Sequence, residues 1–241
     1  MKIYRRYKHK ILSKQSGFTI IESLVAIIVV GILMTAIAPT IVLSVATRVQ
    51  AKRIEIATDA AKSYIDGVRT GTVNPPELPN KSEEELKKYD FSKYDAPKQG
   101  ALNNCTDNNY CSKSKPDTNL YCVDGDADGQ CSETSSRDII IQAFRYNQSS
   151  IDAEDGYNLG IRVYRADAFD KKRVKQLKAL KDKGTKRQST FTGGTGLTSV
   201  QTPLMEIKTS ISTNKSTFDD FCQRLQKDDK EKKDLKIKSN C

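Results

Sequence analysis

The stretch Gly17-Phe18-Thr19-Ile20-Ile21-Glu22 opens the main apolar segment of the chain, and no charged residue follows it between Ser23 and Thr47. As an α-helix, those 25 residues extend about 38 Å at about 1.5 Å per residue, which exceeds a bilayer core of about 30 Å. Glu22 is the one carboxylate at the start of this segment. We therefore expect a membrane-spanning helix over residues 18–47 whose single ionisable side chain needs a partner.

The residues before this helix form a basic leader. Residues 1–17 carry six Lys and Arg and no acid, so they account for six of the ten formal positive charges and leave +4 elsewhere. A positive flank keeps the N-terminus cytoplasmic, which predicts that everything after Arg48 is exported. Ala36-Ile37-Ala38 fits the A-x-A pattern of an ordinary signal peptide, but Pro39 follows at once and the apolar segment continues. We expect a membrane span rather than a signal peptide that is cut there.

A second, amphipathic part of the same helix is predicted over 48–71. Apolar residues recur there at three- and four-residue spacing: Ile54, Ala57, Ala61, Tyr64, Ile65 and Val68. Gly71 and Pro75-Pro76 predict its end. A single helix over 18–70 would be about 80 Å long. Pro39 removes a backbone donor within it, so we expect a kink at Pro39 and a second weak point at Gly31.

The remainder, residues 72–241, predicts an exported α+β domain. Residues 83–88 favour a short exposed helix. Alternating apolar residues predict strands over 138–146 and 157–165, with a turn at Asp155-Gly156 between them, and a third strand near 204–211. The expected fold is a long N-terminal helix packed on a small antiparallel sheet.

All six cysteines lie in this domain: Cys105, Cys111, Cys122, Cys131, Cys222 and Cys241. An even count beyond a membrane segment is typical of disulfides in an oxidising compartment, whereas six free thiols in a cytosolic domain is the alternative. Residues 72–135 hold few apolar side chains, so we expect disulfides to staple their loops. The spacing leaves the connectivity open, although Cys241 could pair with Cys222.

The only histidine is His9, in the leader. A chain that begins at Phe18 therefore has no imidazole, which excludes Ser-His-Asp, Cys-His and His-metal chemistry. We predict that the protein is not an enzyme and requires no cofactor. A membrane-anchored glycosidase that uses two carboxylates stays open as an alternative.

Residues 124–129 carry the D-x-D-x-D-G pattern that begins a calcium loop, with Asp124, Asp126 and Asp128 as candidate Ca2+ ligands. The twelfth position is Ser135 instead of glutamate, so an ordinary EF-hand is not expected. A bridge between the flanking Cys122 and Cys131 would hold a shortened loop. A solvated acidic turn is the alternative.

Residues 171–187 hold nine Lys and Arg and one acid, and their apolar residues suggest a short helix. This segment could contact an acidic polysaccharide or DNA. Residues 72–241 nevertheless have 29 basic and 26 acidic residues, so the domain as a whole has a weak field. Few aromatic residues lie near the segment, which disfavours nucleic acid as a partner. A solvated helix and loop is the alternative.

Ser16-Gly17-Phe18-Thr19-Ile20-Ile21-Glu22-Ser23-Leu24 resembles the cleavage and methylation motif of type IV pilins and type II secretion pseudopilins. The resemblance implies cleavage after Gly17 by a prepilin peptidase and N-methylation of Phe18. It implies assembly with other pilin or pseudopilin subunits on an inner-membrane platform. Pro39 and the helix-on-sheet fold agree with that family, and the pair Cys222 and Cys241 is similar to the disulfide loop of many pilins.

Three stretches more narrowly resemble the hormogonium polysaccharide secretion pseudopilins of filamentous cyanobacteria: 20–30, 48–53 and 61–69. The narrower resemblance implies polysaccharide export during gliding. The expected division is a leader over 1–17, a membrane and assembly half-helix over 18–47, an amphipathic half-helix over 48–71 and an exported domain over 72–241. The expected location is the inner membrane, with the N-terminus cytoplasmic, and later a filament.

Glu22 has a role that follows from physics alone. The nearest cation after cleavage is the new amine of Phe18, and methylation keeps its charge. In a staggered bundle, Glu22 of one subunit can meet the Phe18 amine of its neighbour, which would set the register of assembly. A structural subunit, a minor one of a pilus or pseudopilus, is therefore our main hypothesis. A tip subunit that binds DNA or surfaces through 171–187 is the alternative, and a glutamate resting in the headgroup layer is the alternative for Glu22.

Overall fold

The computed structural model describes residues 17–112, 119–147, 150–173, 175–181 and 200–222. Its helices are α1 (Ile20–Thr70) and α2 (Glu83–Leu86), short 3-10 helices cover Phe91–Lys93 and Ala166–Phe169, and residues 218–222 are also helical. Its strands are β1 (Asn119–Val123), β2 (Ile139–Tyr146), β3 (Tyr157–Arg165) and β4 (Met205–Ile211). The chain forms two compact units, one ending at Val45 and the other beginning at Ala46.

In the first unit, α1 is long and apolar enough to cross a membrane. Its most apolar window has a mean hydropathy of 2.6 and none of it is buried. Large aliphatic side chains are exposed all around it, Ile20 by 85% and Ile27 by 73%. An apolar surface of this kind is unstable in water and suits lipid or other helices. Helical structure continues through Gly31 and Pro39, and the kink there stays a prediction.

In the second unit, the amphipathic part of α1 packs on the sheet as expected. Ala57 and Ala61 are fully buried and Tyr64 nearly so. They join one apolar cluster with side chains of the two central strands, among them Ile141 and Ile161. The predicted α+β fold, with a long helix on a small antiparallel sheet and disulfide-stapled loops, is confirmed.

The sheet has four antiparallel strands in the order β1-β2-β3-β4. The sequence predicts three of them, and β1 is the addition. It is only five residues long and lies within the polar, cysteine-rich region. Its outer edge is covered by residues 108–111. The Cys122 N–H donates to Asn109 O at 2.9 Å, and the Cys111 N–H donates to Leu120 O at 2.8 Å.

Two disulfides staple this region, Cys105–Cys111 and Cys122–Cys131. The second one closes the acidic loop at its two ends, as the sequence suggests. Cys222 is also disulfide-bonded, and its expected partner Cys241 lies outside the described residues. The oxidised cysteines agree with an exported domain.

The face of the sheet that points away from α1 is buried too, and a charged residue lies at its centre. Arg162 is fully buried between the rings of Phe91 and Phe144. Its guanidinium donates to Tyr94 O at 2.9 Å and forms an ion pair with Glu206 at 3.2 Å. Both faces of β2 and β3 are therefore covered, which explains their almost continuous burial.

The helix expected within 171–187 is wrong for the described residues 171–173 and 175–181, which are not helical. Tertiary contacts use the backbone groups that a helix would need. The Tyr164 hydroxyl donates to Lys178 O at 2.9 Å, and the Lys178 N–H donates to Gln201 O at 3.0 Å. Leu177 is buried in a cluster around the disulfides. Val174 and 182–199 lie outside the described residues.

Candidate functional site

The first candidate site is the start of α1. Gly17, Phe18 and Thr19 precede the first helical residue, and the Phe18 side chain is 77% exposed. The Thr19 side chain caps the helix, since its Oγ1 accepts from the Glu22 N–H at 3.3 Å. The Gly17–Phe18 peptide bond therefore lies in an exposed, non-helical stretch directly before the cap, which is where a peptidase could reach it.

Glu22 lies in the first turn of α1 and is exposed. A carboxylate at a helix N-terminus interacts favourably with the helix dipole. The spacing Thr19-x-x-Glu22 is also that of a capping box, a local signal that sequence reasoning overlooked. The next charged residue along α1 is Arg48. An intramembrane carboxylate costs about 2.5–3.5 kcal/mol on insertion scales, so its pairing must come from the N-terminus or from another molecule.

Comparison with known protein families gives a match that includes the start of α1. A family model described as the prokaryotic N-terminal methylation motif matches residues 12–38. The N-terminal segment is type IV pilin-like. No curated protein and no solved structure matches the chain. The match spans Gly17, Phe18, Glu22 and the first part of the apolar helix.

A type IV pilin-like segment implies three general properties. Chains with this motif assemble with other pilin subunits, are processed at the N-terminus by a prepilin peptidase, and carry the N-terminal methylation after which the motif is described. The apolar part of α1 is consistent with an inner-membrane anchor that later enters a filament. The pilin-like fold of the second unit agrees with this assignment.

The second candidate site is the acidic loop at 124–129. Carboxylate oxygens of Asp124, Asp126 and Asp128 lie within 4.8 Å of one another. The Cys122–Cys131 disulfide joins the two ends of the loop. The left-handed backbone at Gly129, with φ of 85°, makes the turn that the pattern requires. The structure therefore brings the three predicted ligands together.

Backbone donors organise this loop from within. Asp124 accepts from the Ala127 N–H at 2.7 Å through Oδ1 and from the Gly129 N–H at 2.7 Å through Oδ2. These hydrogen bonds, the one from Gly129 foremost, lower the pKa of the Asp124 carboxyl. Ser135, the twelfth position, donates its hydroxyl to Asp126 Oδ2 at 2.8 Å. All three carboxylates retain lone pairs for a hard cation, and Ca2+ binding stays a prediction.

Two further aspartates hold the loop from outside its sequence. Asp138 is fully buried, and it accepts from the Gly125 N–H at 3.2 Å and the Ser132 N–H at 3.0 Å. Asp107 accepts from the Asp124 N–H at 2.9 Å. The sequence carries no signal for the contact of Asp107 with Asp124 or for that of Asp138 with Gly125, because each joins positions more than ten residues apart.

The basic segment is partly neutralised where the structure describes it. Arg173 pairs with Asp167 at 3.0 Å, and Lys181 pairs with Asp95 at 2.7 Å. These pairs weaken the field that a DNA-binding surface would need. The rest of the segment lies outside the described residues.

Proposed function

We propose that this protein is a structural subunit of a type IV pilus or pseudopilus and that it acts without catalysis. The single observation that carries the proposal is the match of residues 12–38 to the N-terminal methylation motif, at the head of an unburied apolar helix. The absence of histidine from a chain beginning at Phe18 supports a non-enzymatic role.

In this proposal the apolar part of α1 has two successive environments. It first anchors the subunit in the inner membrane, with the N-terminus cytoplasmic and the second unit exported. It then leaves lipid and packs against the helices of neighbouring subunits. Glu22 pairs with the Phe18 amine of a neighbour, because an unpaired carboxylate in an apolar bundle is unfavourable. The pairing sets the axial register of the filament.

We also propose the finer role of a minor subunit in a system that exports polysaccharide and supports gliding motility. The support is the likeness of 20–30, 48–53 and 61–69 to pseudopilins of that kind. A low copy number in sheared filaments and loss of exported polysaccharide on deletion are the expected results. An abundance equal to that of the main filament protein would refute the minor role.

The deciding experiment is intact mass and N-terminal sequencing of the full chain extracted from membranes. We expect a mature chain that begins with N-methylated Phe18. An intact Met1, or a new start near Pro39, would overturn the assignment. Incorporation of variants into filaments then tests Glu22: Glu22→Ala and Glu22→Gln should both fail to assemble, whereas Glu22→Asp should assemble in part.

The Glu22→Gln variant separates pairing from helix capping. A glutamine side chain can still complete a capping box but carries no charge. Assembly of Glu22→Gln at the wild-type level would therefore show that Glu22 acts as a helix cap and not through its charge. Glu55→Gln is the matched control, since Glu55 lies on the same helix, is exposed and pairs only with Lys52 at 3.1 Å among the described residues. It should assemble like the wild type.

A further inference from the structure

A basic groove lies in the second unit beside the paired ends of β2 and β3, where Ile139 is opposite Arg165. Its volume is about 300 Å³, at the lower end of the range of about 300–1,000 Å³ for ligand pockets. Four cationic side chains line it, Lys52 and Arg53 from α1 and Arg137 and Arg165 from the sheet side. Two aliphatic side chains of α1, Val49 and Ile56, line it as well.

The charges of the groove are only partly compensated. Lys52 pairs with Glu55 at 3.1 Å, and Arg165 pairs with Asp167. Arg53 and Arg137 have no ion pair within the part of the chain that the structure describes. Two guanidinium groups are therefore available to an anion.

Arg165 supplies a further donor. The residue is only 7% exposed, and its Nε–H is buried without a hydrogen-bond partner among the described residues. Burial lowers the pKa of Arg165, the paired Asp167 carboxylate opposes that shift, and the nearby Arg53 lowers the pKa further. An unsatisfied donor next to surplus positive charge is a site that an oxyanion would complete, because guanidinium groups bind phosphate and carboxylate oxygens.

The position of the groove along α1 selects among anions. Its first lining residue, Val49, lies two residues beyond Thr47, the last residue of the uncharged segment. Arg53 follows Thr47 by about 9 Å of helix, just beyond the polar layer of about 5–7 Å on each side of a bilayer, and its long side chain can reach back into that layer. Val49 is 45% exposed and Ile56 is 37% exposed. Cations beside exposed aliphatic groups fit a phosphate that carries an acyl glycerol.

We propose that this groove binds the phosphate headgroup of an anionic phospholipid, in the leaflet next to the exported unit. The inference rests on the membrane anchorage in the proposed function. Arg53 and Arg137 contact the phosphate, Arg165 Nε donates to it, and Val49 and Ile56 contact the glycerol and upper acyl chains. The bound lipid holds the second unit at the membrane until the subunit is extracted into a filament.

The test uses the full chain in detergent, titrated with short-chain phosphatidylglycerol and followed by native mass spectrometry. Inorganic phosphate is titrated separately to distinguish a lipid headgroup from free phosphate. The variants are Arg53→Gln and Arg137→Gln, singly and together. The matched control is Lys62→Gln with Lys88→Gln, which removes two exposed charges outside the groove.

Each basic side chain near an anionic lipid contributes a factor of about five, so the double arginine variant should bind phosphatidylglycerol roughly 30-fold more weakly. Each single variant should lose about fivefold, and the lysine control should bind like the wild type. Inorganic phosphate should bind far more weakly than the lipid. Unchanged urea midpoints will show that the arginine variants remain folded.

Equal lipid binding by all variants would overturn the proposal. So would phosphate binding as tight as lipid binding, or binding only of an acidic polysaccharide or of a second copy of the chain. The N-terminal mass of the same sample separates this inference from the proposed function. A chain with methylated Phe18 that binds no lipid refutes the groove alone, and a lipid-binding chain with an intact Met1 refutes the filament role alone.

Discussion

Replacing the buried Arg162 by methionine should destabilise the second unit by about 3 kcal/mol. The Arg162 and Glu206 side chains are 0% and 7% exposed, and Nε lies 3.2 Å from Glu206 Oε1, although its N–H is not aligned for a hydrogen bond. Removing one partner of a buried pair costs about 3–5 kcal/mol. We expect the lower end of that range, because Glu206 Oε1 still accepts from the Leu180 N–H at 2.8 Å.

A double variant, Arg162→Met with Glu206→Leu, isolates the cost of the stranded carboxylate. It should recover about 2 kcal/mol, because no buried charge then remains unpaired. It should not recover fully, since the hydrogen bonds from the Arg162 guanidinium to the Tyr94 and Phe91 carbonyls, at 2.9 and 3.4 Å, are also lost. Lys208→Met is the control, because Lys208 lies over the same Phe91 ring but is exposed. It should change stability by less than about 1 kcal/mol.

Urea unfolding of the fragment that begins at Ala46, followed by circular dichroism, measures these differences. Equal stability of the single and double variants would refute the reasoning, because the loss would then come from the carbonyl contacts and not from the charge of Glu206. A single variant as stable as the wild type would show that the guanidinium contributes nothing net to folding.

Two further predictions concern titration and metal binding. Burial raises the pKa of Tyr64 and of Tyr110, and that of Tyr157 to about 12. Tyrosines in the unfolded chain ionise at about pH 10. Above that pH the unfolded state binds fewer protons than the folded state, so the urea midpoint should fall as the pH rises. The fall should be less steep in Tyr157→Phe, because that variant has one fewer buried hydroxyl to ionise. Calorimetry of the full chain should show Ca2+ binding that Asp126→Ala removes and the surface control Asp66→Ala keeps. A pH-independent midpoint, or no heat at millimolar Ca2+, would contradict them.

Much of the fold could be predicted because its signals are local. The stripe that includes Ala57, Ala61 and Tyr64 has the period of a helix, and those residues are among the ones that α1 buries. Leu159, Ile161 and Val163 alternate as a strand requires, and all three are fully buried in the cluster beneath α1. In each case periodicity within one segment reports the face that lies inside.

The failures arise where distant contacts decide the structure. β1 holds only five residues, and its pairing with β2 and its cover by residues 108–111 are both non-local. Leu177 lies in a lysine-rich segment whose pattern suggests a helix. It is buried instead in a non-helical stretch, because the Tyr164 hydroxyl and Gln201 hold the backbone at Lys178.

In the acidic loop, too, the local feature could be predicted from the sequence and the non-local contact could not. The spacing of Asp124, Asp126 and Asp128 is enough to predict that their carboxylates converge, since alternate residues of a tight turn point inward. The contribution of Asp138 could not be predicted, because a lone aspartate at the start of a strand has many ordinary roles. Its importance comes from burial and from two backbone donors across the loop.

The cover that residues 108–111 form over the outer edge of β1 matters most before the cysteines are oxidised. An open strand edge presents peptide groups that can pair with another polypeptide. Residues 108–111 occupy that edge, and the Cys105–Cys111 disulfide ties their loop in place. A chain whose thiols are still reduced would hold this cover less firmly, so we expect oxidation of Cys105 and Cys111 to protect the edge of β1 from pairing with other chains.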